Sequence, residues 1–558
     1  MIQLLMRARW SRLVPLCFAL LTGAAAGRAF TPPRLPAGVT PLPKESASHV
    51  RELLQVAEKY RGLKALRSVP AGSTSPRKLK AQIMASMPKD LPEAELKALG
   101  ISLKAFGLIP ETMDLGRYLP ELLSSQVAGF YDPDDKYMTL VDTPWAGAGK
   151  KEERMESEDM VLVHELTHAL QDQHFDLHRF EERDPLSDGG TAKKALVEGD
   201  ATLTMFDASM KASFEAMPGV DTVLTSMMQD PEALLAGSGS FPGAEEMRAA
   251  PAWIRDTLMF SYLQGLTFCV SAKRLGGQAL LDYAFTTDPP RSSEQVLHPE
   301  KWHTKRDDPV GLRFPDLTAE LPGYRKASEG EMGELGLRIL FRQDLESREQ
   351  ADAAAAGWGG DRFAVYEKGG GRLIVWLTEW DTEADAGEFR SALQAVTGWR
   401  AEAAGPTRVL AVHGGLSDEA WTKVRARLAA VTVERPANRE IDLKAIGAST
   451  ASAGLPSGSR GLPSGSAGAP SRSPAWPTGK AVSPTGGAAS PSGSACRSCG
   501  IPFVPAGGAA APTGSAVLPS GSASRPSASA VAPSGGAALL TGGQTRRTSG
   551  RTRPSVGA

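Results

Sequence analysis

Three of the eight histidines of this 558-residue chain lie within one short stretch, VLVHELTHALQDQHF, at positions 161–175. His164 and His168 are four residues apart, so on a helix their side chains are displaced by about 6 Å along the axis and about 40° around it. Two imidazoles on one helix face can share one metal ion. Glu165 follows the first histidine and is placed to take a proton from metal-activated water. The spacing therefore indicates a hydrolytic zinc site.

A third zinc ligand has to come from elsewhere, because a catalytic zinc ion commonly has three protein ligands. Glu198 lies on the inward stripe of a second predicted helix, and a carboxylate buried there needs a cationic partner. His174 has the ten-residue offset of a third histidine ligand, but that arrangement requires a glycine that ends the helix, where this chain has Gln171. Asp200 points away from Glu198 on a helix and is the weaker choice. We therefore predict Glu198 as the third ligand.

Two supporting roles are assigned by position alone. Asp172, four residues after His168, could orient a ligating imidazole through a hydrogen bond. A hydrolase of this kind also needs a donor to the oxyanion that develops on the carbonyl. Tyr262, Tyr283 and His298 follow the ligands in the sequence, and among them we select His298 as the second catalytic residue.

The elements that position these residues follow from turn signals and apolar periodicity. VAGFYDPDDKYMTLVD, at 127–142, predicts a β-hairpin, and Ser157 can cap the helix that carries the histidines. A second long helix is expected from about 192 to 217. A third should run near 253–275, followed by an ordered loop. Further helices are expected at 45–63, 93–106, 334–345 and 383–396, a second hairpin at 361–380 and a strand at 407–415.

Composition divides the chain into five segments. Arg7, Arg9 and Arg12 precede an apolar run and small residues, which predicts a signal peptide at 1–29. A Pro-rich leader is expected at 30–43, a mainly helical α+β domain with a small edge hairpin at 44–325, and a small α+β module at 331–436. The segment 443–558 is rich in Gly, Ala, Ser and Pro and should be disordered. The signal predicts a secreted, periplasmic or cell-envelope protein.

The formal net charge of −1 says little about partners, but all charged residues after Asp442 are basic. The charge of this basic tail would suit contact with anionic cell-envelope polymers, and the alternative is a solvated tail without attachment. We expect no nucleic-acid partner. No apolar run after the signal is long enough to cross a membrane. Cys269 is the one cysteine of the folded part, whereas Cys496 and Cys499 lie in the tail, where a local disulfide is expected.

A family resemblance is carried by VHELTHALQDQHFDL, by ALVEGDA about thirty residues later, and by the segments at 127–142 and 289–302. These motifs resemble gluzincins, zinc metallopeptidases with two motif histidines and a downstream helical glutamate, and in particular a group of exported bacterial proteins described as predicted metallopeptidases. The resemblance covers roughly 127–302. It implies a zincin-like fold, His164, His168 and Glu198 as zinc ligands, and Glu165 as general base. Thermolysin-like relatives carry Asp where this chain has Thr202.

The sequence thus predicts a zinc-dependent metallopeptidase that acts on peptides or proteins. In zincin-type folds an extended substrate lies along an edge strand above the motif helix, and the hairpin around 130–140 has the matching place in sequence order. The alternative is a non-catalytic cell-envelope protein with a structural zinc site or a binding role. A structural site would need a fourth protein ligand, for which His174 and Asp200 are available.

Overall fold

The computed structural model describes residues 38–126, 129–141, 151–180, 184–229, 244–437 and 440–446. The predicted signal peptide lies outside this part, as does nearly all of the predicted tail. The described chain is a mixed α+β protein, which confirms the predicted class. None of its helices combines the length and the apolar character needed to cross a membrane.

Helices make up most of the N-terminal two thirds of the described chain. We number them α1 Lys44–Arg61, α2 Pro76–Asp90, α3 Glu93–Ala105, α4 Leu115–Gln126, α5 Lys151–Phe175, α6 Asp188–Met210, α7 Val220–Gln229, α8 Ala244–Ala249, α9 Ala252–Thr286, α10 Ser293–Leu297, α11 Gly333–Phe341, α12 Arg348–Ala355, α13 Glu383–Ala395 and α14 Asp418–Ala429. Short 3-10 turns occur at Leu177–Phe180, Phe214–Ala216 and Pro299–Lys301.

The strands form two main sheets and one short pair. They are β1 Thr40–Pro41, β2 Ala71–Thr74, β3 Gly129–Asp132, β4 Tyr137–Val141, β5 Gly311–Leu312, β6 Arg325–Gly330, β7 Trp358–Lys368, β8 Gly371–Trp380, β9 Trp399–Ala403, β10 Arg408–His413 and β11 Val433–Glu434. The first sheet has the order β1-β2-β4-β3, the second the order β6-β7-β8-β10-β9, and β5 pairs with β11. Among the strands that the structure describes, β3 therefore lies at an edge of the first sheet and pairs with β4 alone.

The predicted elements are present, with shifted ends. The hairpin at 127–142 forms β3 and β4, and Lys136 in its turn has a positive φ of 54°. The helix with the two histidines begins at Lys151, six residues before the Ser157 that we expected to cap it. The helix with Glu198 begins and ends earlier than expected, because Ser187 caps it through its side chain and Lys211 leaves it in the left-handed region. The shifted helix ends do not change which residues share a helix face with Glu198.

The helices α6 and α9 touch through their backbones. A β-carbon at Gly199 would lie 2.1 Å from the carbonyl carbon of Gly265, and one at Gly265 would lie 2.1 Å from the carbonyl oxygen of Ala195. Only glycine permits this approach, since real β-carbons do not come so close to backbone atoms. The contact lies next to Glu198 and three residues after Tyr262, so it fixes these two side chains relative to each other.

The second sheet packs against the N-terminal helices through aromatic side chains. The ring of Phe106, which follows α3, lies 4.9 Å from that of Phe363 on β7 and 5.2 Å from that of Trp376 on β8. These residues belong to one hydrophobic cluster that also contains the buried side chains of α5, α6 and α9. Trp358, Trp376 and Trp380 are buried and belong to this core.

Candidate metal centre

The structure brings His164, His168 and Glu198 together at the contact between α5 and α6. The two Nε2 atoms lie 3.1 Å apart. Oε2 of Glu198 lies 3.3 Å from Nε2 of His164 and 3.3 Å from Nε2 of His168. All three residues are buried. Three potential ligand atoms thus form a nearly equilateral triangle.

The triangle has the size that a tetrahedral zinc ion requires. Zinc lies about 2.0–2.2 Å from histidine nitrogen and carboxylate oxygen, so tetrahedral ligand atoms are separated from one another by about 3.4 Å. Two imidazoles and one carboxylate are also ligand types that zinc accepts. Among the residues that the structure describes, no further His, Cys, Asp or Glu belongs to this group. The donor set therefore fits a zinc ion with three protein ligands and one open position.

A glutamine fixes the tautomer of the second histidine. The amide nitrogen of Gln171 donates to the carbonyl oxygen of Val197 at 3.1 Å and to Oδ2 of Asp200 at 2.8 Å. Its amide oxygen lies 2.8 Å from Nδ1 of His168 and must therefore accept the proton of that nitrogen. In this tautomer the lone pair of Nε2 faces His164 and Glu198. Gln171 thus holds His168 ready to bind a cation.

A buried ion-pair chain supports the glutamine. Oδ2 of Asp200 accepts from Nε of Arg61 at 2.6 Å, and Nη1 of Arg61 donates to Asp282 at 2.8 Å. Arg61 and Asp200 are each 1 % exposed, so this pair has no solvent to replace a lost partner. Asp200 is therefore engaged by Arg61 and Gln171 and is not a ligand in this arrangement.

Glu165 is held at the open edge of the first sheet. The backbone N–H of Tyr131 on β3 donates to Oε2 of Glu165 at 3.0 Å. Burial raises the pKa of Glu165, although His168 and His164 act in the opposite direction. The carboxylate thus lies between the edge strand and the histidines, with one oxygen anchored by the backbone.

The electrostatics of the cluster favour a positive charge among the three ligand atoms. Burial opposes the charged form of Glu198, yet His168 and His164 hold the pKa of this carboxyl far below its ordinary value. Burial likewise opposes the imidazolium form of His168, but Glu198 and Glu165 raise its pKa to about 9. Two imidazoles around one buried carboxylate therefore attract a proton or a cation.

Tyr262, and not His298, lies beside the ligand atoms. The ring centroid of Tyr262 is 5.9 Å from that of His164. Burial, the charges of Glu198 and Glu165, and a hydrogen bond with Glu198 raise the pKa of Tyr262 well above its ordinary value, so its hydroxyl remains a proton donor. The ring of His298 instead lies 3.0 Å from Oε1 of Glu334. The structure does not bring His298 into the ligand group.

The other candidates also have different partners. Nε2 of His174 lies 2.7 Å from the carbonyl oxygen of Lys64, at the exposed end of α5. Asp172 accepts from the hydroxyl of Tyr131 at 2.8 Å and from the amine of Lys136 at 2.8 Å. Asp172 therefore anchors the hairpin to α5, and the orienting role that we expected for it belongs to Gln171.

A second group of acidic side chains resembles a cation site but already holds a lysine. Glu294, Asp307 and Asp381 have carboxylate oxygens close enough to share an ion. The amine of Lys301 lies 2.6 Å from Glu294, 2.9 Å from Asp307 and 2.6 Å from Asp381. The positive charge that this group needs is therefore supplied by the chain itself.

The role of Gln171 gives a first testable expectation. Gln171→Leu removes the acceptor for Nδ1 of His168, so the imidazole is no longer fixed in the tautomer and orientation that present Nε2. We expect zinc affinity to fall by about 10–100-fold, the usual effect of losing such a partner. The measurement is competition with a zinc-chelating dye. Gln173→Leu is the control, because Gln173 bonds to the backbone of Arg67 at the surface. Equal losses in both variants would contradict the assigned role.

Comparison with known proteins covers only the C-terminal part of the described chain. Residues 320–445 match the model of a family described as a domain of unknown function, DUF8575. This span contains the five-stranded sheet and helices α11 to α14. No curated protein and no solved structure matches the chain.

Proposed function

We propose that this protein is an exported zinc-dependent metallopeptidase of the gluzincin type. The observation that carries the proposal is the triangle of His164, His168 and Glu198 with the Glu165 carboxylate beside it. A structural zinc site would close its shell with a fourth protein ligand, whereas this group offers three. The three ligand atoms fit zinc, and the remaining position suits water or a substrate carbonyl.

The surroundings of α5 support a zincin-like arrangement. The motif helix lies against an edge strand, and the glutamate of the motif accepts a hydrogen bond from that strand. Because N–H of Tyr131 points to the open edge, the carbonyl groups of Gly129 and Tyr131 point there too. An extended peptide could pair with these groups, so we propose that the substrate binds by strand addition.

The chemistry divides among a few side chains. Zinc bound at the three ligand atoms would lower the pKa of water toward ~7 and polarise the scissile carbonyl. Glu165 then accepts the proton of the attacking water and passes it to the nitrogen of the leaving amine. Tyr262, as a protonated phenol next to Glu198, donates to the carbonyl oxygen as negative charge develops there. We propose Tyr262 for this role in place of His298.

A metal-reconstitution experiment tests the proposal. We expect the purified chain to bind about one zinc ion and to hydrolyse a quenched fluorescent peptide library, with activity lost in a chelator and restored by zinc. Zinc binding without hydrolysis of any peptide would instead support the non-catalytic alternative. A chain that binds no zinc would contradict both.

A further inference from the structure

An apolar cavity of about 170 Å³ lies between α6, α9 and the N-terminal helices. Its apolar lining includes leucine side chains of α3, α4 and α11, together with Trp253 and Leu258 from α9. A cavity of about 150 Å³ with an apolar lining is large enough for benzene. This cavity can therefore hold one phenyl or leucyl side chain.

The lining of the cavity includes residues that are close in sequence to the candidate metal centre. Val197 lines it and precedes Glu198 on α6, while Ser261 lines it and precedes Tyr262 on α9. Lys194 also lines it and lies four residues before Glu198, which places it one turn away on the same helix face. The charge of Glu198 acts on the Lys194 amine, so Lys194 connects the lining of the cavity with the face of α6 that carries Glu198.

Lys194 is the one cation in the lining of this cavity. No hydrogen bond or ion pair links its amine to any residue that the structure describes, although the side chain is largely buried. Burial lowers the pKa of Lys194 to about 8, and Glu198 acts in the opposite direction. A partly desolvated ammonium group without a hydrogen-bonded partner favours the binding of an anion next to it.

The acidic residues of the lining are engaged elsewhere. Oδ2 of Asp188 accepts from the backbone of Ser293 at 2.8 Å. Glu331 accepts from Nη1 of Arg362 at 3.0 Å. Asp184, which is exposed, accepts from the backbone of Leu186 at 2.9 Å. Arg362 thus compensates the charge of Glu331, and burial raises the pKa of Asp188 to about 8, so that its carboxyl is largely protonated at neutral pH. With Asp184 facing solvent, the Lys194 amine selects the charge of a bound group.

We propose that Lys194 binds the terminal carboxylate of a peptide whose last side chain, a large apolar one, occupies the cavity. The proposal rests on the proposed function, and it makes the protein a carboxypeptidase that removes one apolar residue at a time. Consecutive residues lie about 3.8 Å apart. A carboxylate one residue beyond the scissile bond is therefore within the reach of a lysine side chain that starts one helical turn from Glu198.

The hydrolytic step needs no reactants other than the peptide and water. The oxygen of water bonds to the carbonyl carbon of the penultimate residue, and the C–N bond to the last residue breaks. The proton that Glu165 accepts goes to the departing nitrogen. The products are a shortened peptide with a new carboxylate and a free apolar amino acid. An amidated peptide has no carboxylate for Lys194, so it should bind weakly.

Binding to an inactive chain tests this proposal without relying on turnover. The full chain with Glu165→Gln is loaded with zinc and titrated calorimetrically with N-acetyl-alanyl-phenylalanine and with its C-terminal amide. We expect the acid to bind about ten-fold or more tightly than the amide, as for a hydrogen bond to a charged group. Adding Lys194→Met should abolish this preference. Lys193→Met is the matched control, since Lys193 does not line the cavity, and it should keep the preference.

The outcomes separate this inference from the proposed function. Equal binding of acid and amide, or a preference that survives Lys194→Met, would overturn the role of Lys194, even if the wild-type chain hydrolyses internal peptide bonds. A preference that depends on Lys194 in a chain without any hydrolysis would support the pocket and overturn the peptidase. Lys194→Gln is measured in parallel, so that a folding defect of one variant does not decide the result.

Discussion

Glu165→Gln should leave zinc binding unchanged and reduce peptide hydrolysis by about 10²–10⁴-fold, the usual contribution of a general base. The amide has nearly the same shape as the carboxylate, and its oxygen can still accept the hydrogen bond of the Tyr131 backbone. It cannot take a proton from water at neutral pH. The ligand atoms of His164 and His168 are not altered, so the metal should remain.

The measurement pairs zinc content with the rate of hydrolysis of one fluorescent peptide. Glu52→Gln is the control, because Glu52 is exposed on α1. It has the same chemical change and should keep full activity. Full activity in the Glu165 variant would show that this carboxylate is not the base. Loss of both zinc and activity would show that Glu165 supports the fold of the site rather than proton transfer.

Glu198→Ala should greatly weaken zinc binding. The substitution removes one of the three ligand atoms and leaves two neutral imidazoles to hold a dication in a buried site. We expect the affinity for zinc to fall by more than about 10–100-fold, which is the usual effect of losing a side chain that hydrogen-bonds to a metal ligand. Zinc content after dialysis against a weak chelator measures the effect, and hydrolysis should disappear with the metal.

His174→Ala is the matched control for this variant. His174 is in the same sequence stretch as the ligands, but its ring contacts the carbonyl of Lys64 at the surface. It should retain both zinc and activity. If His174→Ala lost zinc and Glu198→Ala retained it, His174 rather than Glu198 would be the third ligand. The proposed site would then be wrong.

The sequence predicted the α+β class and the proximity of His164, His168 and Glu198 better than the ends of the elements. The ligand group follows from two local periodicities, the four-residue spacing of His164 and His168 and the inward stripe that carries Glu198. Helix ends depend on caps that compete with one another. The helix of the histidines begins before Ser157, so this serine lies inside it and not at its start.

The supporting residues could not be predicted in the same way, because tertiary contacts decide their roles. Gln171 lies three residues after His168, and this spacing alone could have suggested a hydrogen bond between them. Its other partners, Val197 and Asp200, lie on another helix, and Arg61, which binds Asp200, is more than a hundred residues away in sequence. Lys194 could be assigned to the same face as Glu198, but the cavity that it lines is formed by five separate segments.

We selected His298 by its order along the chain, which does not determine its position in the fold. His298 and Tyr262 both follow the ligands, and a histidine is the more common catalytic residue. Helix α9 places Tyr262 beside the ring of His164, whereas His298 follows α10 and pairs with Glu334 on α11. Position after the ligands therefore did not determine which side chain lies near them.

The glycine contact between α6 and α9 limits how far these two helices can move relative to each other. Where two backbones touch without intervening side chains, neither helix can slide along the other without a clash. Glu198 and Tyr262 are anchored on either side of this contact and should move as one rigid body. If a polypeptide binds at this site as proposed, we expect the β3–β4 hairpin, rather than the α6–α9 pair, to move to make room for it.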